Sequence, residues 1–192
     1  MNSEPIVLLP GHMCDHRVFH DQVVGVFNDQ DVSIPVITGI DSITEIAQRT
    51  LASCPPRFAL AGHSMGGTVA MEMYRLASAR ISRMALIATN HQSEKPAIAQ
   101  IREARIESAK QGKLKEVIRD EMKPAYLYDS PYKALYLKFI MVMALDLGPD
   151  VFIKQSRALI NRPDQTSTLS EIDIPVALIF CLLYTSPSPR DS

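Results

Sequence analysis

Gly62-His63-Ser64-Met65-Gly66-Gly67 directly follows the apolar run 58–61, in a strand expected over 57–61, and opens a segment where Val69, Met73, Leu76 and Ala77 recur at helical spacing. The pattern is Gly-x-Ser-x-Gly, set between a strand and a helix. So tight a turn needs residues without bulk two positions either side of the serine, hence Gly62 and Gly66. It projects the Ser64 hydroxyl from the carboxyl edge of a sheet. The Met65 amide then lies at a helix N-terminus, where backbone donors and the helix dipole favour a developing oxyanion. Gly67 lets the helix approach the sheet closely. With Gly and Ser each near 7% of average sequence, the bare pattern arises by chance in roughly 5% of chains this long. The flanking strand and helix therefore decide the reading: Ser64 is a nucleophile candidate rather than part of an ordinary glycine-rich turn.

Outward from the motif, the runs 6–9, 32–37, 84–88 and 176–180 are short, apolar and bounded by turn residues. None alternates polar with apolar, which is the pattern of strands buried on both faces of a parallel sheet. Ser42 and Glu45 form a capping-box pattern, after which Ile43, Ile46, Ala47 and Leu51 mark a helix face. Strand and helix alternate, so the fold class is α/β with a mostly parallel sheet flanked by helices. The rhythm breaks over 93–170, where the periodicity predicts helices near 97–111, 114–122, 132–147 and 150–160. Lys123-Pro124, Ser130-Pro131, Gly148-Pro149 and Arg162-Pro163 mark the breaks. Such an insertion reads as a helical lid or as a layer of packing helices, and the apolar run 139–145 fits either.

The 192 residues carry 20 basic and 21 acidic side chains for a net charge of −1, with 46% hydrophobic residues. Those values exclude disorder and a polyanion binder driven by bulk charge, and they suit one folded domain. Basic residues are scattered among acids, so no nucleic-acid partner is expected. The apolar stretches are far too short to span a bilayer. Three cysteines, Cys14, Cys54 and Cys181, make no disulfide framework. With no basic N-terminal leader, the expected location is cytoplasmic.

Beyond the serine motif, Val7-Leu8-Leu9-Pro10-Gly11-His12 is a strand ending in a glycine-containing loop. Together the two stretches resemble the small, lidded α/β-hydrolases, a superfamily of esterases, lactonases, thioesterases and related enzymes. In that family a His-Gly pair ends the first strand here; Pro10 replaces the His and Gly11 is kept. The resemblance implies that the backbone N–H groups of His12 and Met65 bind an oxyanion, and that Asp15 and Phe19 begin the first helix. It extends over residues 5–180. A competing reading of the loop is a metal site, since His12, Cys14, Asp15, His16 and His20 cluster and His16 and His20 are spaced i, i+4. No H-E-x-x-H glutamate and no second ligand cluster support it, so no metal and no cofactor are expected. His16 and His20 then read as polar-face helix residues.

A serine hydroxyl needs an imidazole base oriented by a carboxylate. The resemblance implies the order Ser, then Asp or Glu, then His. The histidines are His12, His16, His20, His63 and His91, and only His91 follows Ser64. It comes before the helical insertion, where a pocket-rim residue is its ordinary reading. His63 adjoins the serine in sequence, but the turn points it elsewhere. The triad acid and base are therefore expected to be absent from this chain. The segment 181–191 resembles the translation of a transposase-type sequencing adapter, residue for residue. The alternative is a genuine Pro/Ser-rich tail.

The expectations divide the chain into 1–92, the first part of the hydrolase core; 93–170, the lid; 171–180, a returning core strand; and 181–192, a non-native tail. The resemblance implies a serine hydrolase acting on a small ester, lactone or thioester through an acyl-enzyme on Ser64, with this chain inactive. Its partner is a small-molecule acyl substrate, with no membrane partner. A carbon–carbon bond hydrolase, perhydrolase or lyase on the same fold is one alternative; a non-catalytic small-molecule binder is another. Serine at position 64 argues against haloalkane dehalogenases, which carry Asp there.

Overall fold

The computed structural model describes residues 4–122, 127 and 129–180. Strands β1 (Ile6–Leu9), β2 (Val32–Ser33), β3 (Phe58–His63), β4 (Ile81–Ile87) and β5 (Val176–Ile179) form one sheet in the order β2-β1-β3-β4-β5. Every pairing is parallel, with Leu9 opposite Gly62, His63 opposite Ile87, and Ile87 opposite Ile179. The strands thus finish along one edge. The chain steps from β1 out to β2 and returns on the other side of β1 as β3, so strand order reverses between β1 and β3. In open parallel sheets that reversal leaves a crevice at the carboxyl edge, where ligands bind.

Between the strands run α1 (His20–Gly25), α2 (Ile43–Ser53) and α3 (Met65–Ala77). Ser42 caps α2, its hydroxyl accepting the Glu45 N–H at 3.3 Å. The apolar face of α2 packs on α3, and together with the sheet they form the main core around Leu9, Phe58, Leu60, Val69 and Met73. Residues 65–74 are buried on every side, as expected of a helix enclosed between layers. One of them is charged. Glu72 is wholly buried, and its carboxylate accepts from Arg75 at 2.8 Å, Thr44 at 2.6 Å and Gln165 at 2.7 Å. The Arg75 guanidinium leads in pulling its pKa down to about 2, against the opposing effect of burial.

Between β4 and β5 lie α4 (Pro96–Lys110), α5 (Leu114–Glu116), α6 (Lys133–Ile160) and α7 (Thr166–Ser170). Among the described residues this stretch holds no strand. Gly148, at φ 79°, and Pro149 divide α6 into two arms at the expected break. The insertion has its own core, built on Ile106, Leu114, Ile118, Met122 and Phe152, into which Met13 reaches from the loop after β1. Its two crossings to the sheet are clasped together. The Glu94 side chain, 5% exposed, accepts from Arg102 at 2.7 Å and from Arg162 at 3.2 Å, and the Gln165 N–H donates to the His91 carbonyl at 2.8 Å.

Three expectations change. β2 stops after Ser33 rather than at 37, because Pro35 has no N–H to extend the ladder. The helix expected over 114–122 is helical only to Glu116 and then widens into the π-type turn Val117–Met122. The short α7 was not foreseen; it follows an Asx turn in which Asp164 accepts the Thr166 N–H at 2.9 Å. Among the described residues β5 pairs only with β4, leaving Leu178, Ile179 and Phe180 exposed. Residues 181–192, with Cys181 and the adapter resemblance, lie outside the described residues. Among those residues no helix is long and apolar enough to cross a membrane.

Candidate active site

Ser64 joins β3 to α3 with φ 53° and ψ −116°, a conformation that a non-glycine residue adopts only when its surroundings enforce it. The enforcement is visible. The Ser64 N–H donates to the Ile87 carbonyl at 2.8 Å, at the end of the neighbouring strand. The Ser64 carbonyl accepts from the Thr89 hydroxyl at 2.7 Å, the Gly67 N–H at 2.9 Å and the Thr68 N–H at 3.3 Å. The backbone is therefore held on both sides of its Cα, which fixes the direction of the hydroxyl.

The flanking glycines are required sterically. A Cβ on Gly62 would meet the Gly66 carbonyl carbon at 2.6 Å, and one on Gly66 would overlap the Leu9 carbonyl. The N-terminus of α3 is thereby pressed against the end of β1. Gly67 serves a different neighbour from the one expected: its Cβ would strike Thr89 at 2.6 Å, so its smallness admits the residue that clamps Ser64. Thr89 was missed from sequence, because nothing local marks a threonine beyond the strand end as a partner of a residue 25 positions earlier.

The loop after β1 lies against the same serine. A Cβ on Gly11 would sit 2.8 Å from His63 Nδ1 and 3.2 Å from Ser64 Cβ. Gly11 and the next three residues form a type II turn, with Met13 at φ 55° and the Cys14 N–H donating to the Gly11 carbonyl at 3.1 Å. Thus the segments bearing the His12 and Met65 amides both converge on Ser64, from the β1 loop and from the first turn of α3. The first amides of a helix have no acceptor within it, so they face outward with the positive end of the helix dipole.

The loop's other titratable residues scatter. His12 turns inward, its ring 5.3 Å from that of Phe152 and its Nε2 3.3 Å from the Ser156 hydroxyl. The His16 side chain is 74% exposed. Asp15 caps the short turn His16–Phe19, and the Arg17 guanidinium holds its carboxyl below the usual carboxylate range. Arg17 also reaches Asp146 of α6 at 2.8 Å. Among the described residues no three His, Cys, Asp or Glu side chains converge as a metal site would need. His91 lies beyond β4, lining an apolar groove of ≈ 460 Å³ with Met71, Leu86, Thr89, Val176 and Phe180.

A family model for the thioesterase domain matches residues 21–132, more than half of the chain. The chain belongs to the thioesterase-domain family. Within the α/β-hydrolase superfamily, this thioesterase-domain chain resembles an esterase from Thermogutta terrifontis (TM-score 0.81, 20% identity, covering 93% of this chain and 71% of that one). An enol-lactonase from Burkholderia xenovorans LB400 gives a TM-score of 0.79 at 18% identity, over 93% of this chain and 72% of that one. MenH from S. aureus gives 0.77 at 20% identity, over 91% and 74%. At such identities the likeness concerns the fold. No curated protein sequence matches the chain. Family and fold together make it a member of a hydrolase-type enzyme family.

Proposed function

We propose that Ser64 is the nucleophile of an acyl hydrolase that cleaves a small thioester or ester, with residues 93–170 forming the lid over its site. The observation that carries this reading is the strained Ser64 backbone, held by Ile87, Thr89 and the first turn of α3. Strain so thoroughly enforced is expected where a side chain must be aimed. The family match favours a thioester, in which a thiolate leaves more readily than an alkoxide.

In the proposed reaction Ser64 Oγ attacks the acyl carbon while its proton passes to an imidazole base. The carbonyl oxygen gains the negative charge and accepts hydrogen bonds from the His12 and Met65 amides. Collapse of the tetrahedral species expels the thiol or alcohol, which takes the proton from the imidazolium. Water, deprotonated by the same base, then releases the acid and frees Ser64. In this reading the imidazole base and its carboxylate partner are supplied by residues other than those described around Ser64, in the order Ser, acid, His that the resemblance implies. In keeping with this, each structural relative above extends beyond the part the chain covers.

A fluorophosphonate probe tests the reading. The full-length protein labels at Ser64, Ser64→Ala abolishes both labelling and acyl-thioester hydrolysis, and the 192-residue chain turns over slower by several orders of magnitude. Absence of labelling in the full-length protein, alongside a control hydrolase that labels, refutes the nucleophile. Full activity of the 192-residue chain refutes the missing base.

A further inference from the structure

The lid reaches back to the loop after β1 through one fully buried polar side chain. Gln155, on the second arm of α6, is 0% exposed, and its Oε1 accepts the Met13 N–H at 2.9 Å. Its Nε2 donates to the Ile37 carbonyl at 3.4 Å, in the segment between β2 and α2. Both ends of the amide are thus engaged, on two different loops at the carboxyl edge of the sheet. Its neighbours Phe152 and Ser156 hold the His12 ring, and Met13 itself is buried in the lid's core.

The Met13 N–H belongs to the central peptide of the 11–14 turn, the peptide that separates type II from type I. Type II places positive φ on its third residue, which for any residue but glycine or asparagine is unfavourable. Met13 accepts that conformation, at φ 55°. The Gln155 acceptor on its N–H opposes the flip to type I, alongside the Cys14 Sγ that donates to the His12 carbonyl of the same peptide at 3.6 Å. The 12–13 peptide shares the His12 Cα with the peptide that carries the His12 N–H, so its orientation bears on how that N–H is held toward Ser64.

We infer that Gln155 is a positioning residue: the lid sets the geometry of the oxyanion site by locking the 12–13 peptide through the Gln155 amide. The inference rests on the nucleophile reading above. Gln155 does not touch substrate. It acts through the His12–Met13 turn, and transition-state stabilisation therefore depends on the lid's second arm being seated.

Gln155→Met keeps the length of the side chain and removes both hydrogen bonds. In the full-length protein, turnover is expressed per site titrated by the fluorophosphonate, so that misfolded molecules do not count. The expected result is a roughly 10- to 100-fold fall in kcat, short of the 10²–10³ seen for outright loss of a donor, with KM within about two-fold. An alkyl trifluoromethyl ketone, whose adduct carries the oxyanion, weakens as an inhibitor by the same factor as kcat. Gln155→Glu keeps an acceptor for the Met13 N–H and loses only the bond to the Ile37 carbonyl, so it retains more of kcat than Gln155→Met at the same pH. Wild-type kcat per titrated site in Gln155→Met, or a loss confined to KM, overturns the inference. Amide hydrogen exchange at Met13 provides a readout independent of activity: it accelerates in Gln155→Met, and unchanged exchange overturns the inference even where no catalysis is measured. Failure of Ser64 to label at all strikes the nucleophile reading instead, and the exchange experiment still judges the lock.

Discussion

Ser64 is aimed by its backbone, and the residues that aim it divide by whether they act through size or through hydrogen bonds. Those acting through size were legible in the sequence. Gly62 and Gly66 occupy fixed offsets in a motif whose geometry forbids a Cβ, whatever the rest of the chain does. The one acting through a side-chain hydrogen bond was not: Thr89 lies 25 positions from Ser64, as Gln155 lies 142 from Met13 in the neighbouring turn, and no local pattern distinguishes either from other polar residues. The steric claim is directly testable. Gly66→Ala forces a Cβ against the Leu9 backbone, which cannot yield as a flexible side chain would, so about 2–3 kcal/mol of stability is lost in urea unfolding. Gly25→Ala is the control. Its Cβ meets nothing within 4 Å at the end of α1, and the helix gains roughly 0.5–1 kcal/mol from alanine. Equal effects of the two substitutions would contradict the packing described around the motif.

At the scale of elements, periodicity located most helices, and the break of α6 at Gly148-Pro149 fell where the sequence placed it. What periodicity could not show is how α2, α3 and α7 are joined. The joint is Glu72, which takes hydrogen bonds from Thr44 of α2, Arg75 of its own helix and Gln165 beside α7. A buried carboxylate in an otherwise apolar helix breaks the amphipathic pattern, and its partners become visible only in three dimensions. The ionised form is favoured in the folded protein, with a pKa moved from 4.5 to about 2. The corresponding stability is fully present above pH 4.5 and is lost as the pH falls toward 2. The shift amounts to about 3 kcal/mol. Thermal unfolding followed from pH 6 to pH 2.5 therefore shows a steep acid loss in the wild type. In Glu72→Gln that acid slope is shallower, from a lower starting stability at neutral pH, because Arg75 and the neighbouring donors lose their ionic acceptor. An unchanged acid slope would remove Glu72 from this role.

For the whole molecule, the alternation of apolar runs sufficed to give a parallel α/β sheet, while strand order had to come from the structure. Alternation does not reveal which side of β1 the third strand joins, and that choice sets the reversal of strand order at which Ser64 sits. The opposite end of the sheet has a different property. Among the described residues β5 has β4 as its one partner and leaves Leu178, Ile179 and Phe180 exposed, and such edges recruit further strands. The 192-residue chain is therefore expected to self-associate at micromolar concentration by light scattering, and Leu178→Lys to shift it toward monomer. A monodisperse monomer that the substitution leaves unaltered would contradict this. The clasp of Glu94 with Arg102 and Arg162 has another consequence. Because the chain leaves the sheet and returns to it at neighbouring points, the segment between them can be exchanged for another of different length without redirecting any strand. On the lid reading proposed above, wholesale replacement of that segment is geometrically simple, with one obligation that follows from the proposed lock: the new segment brings its own acceptor for the Met13 N–H.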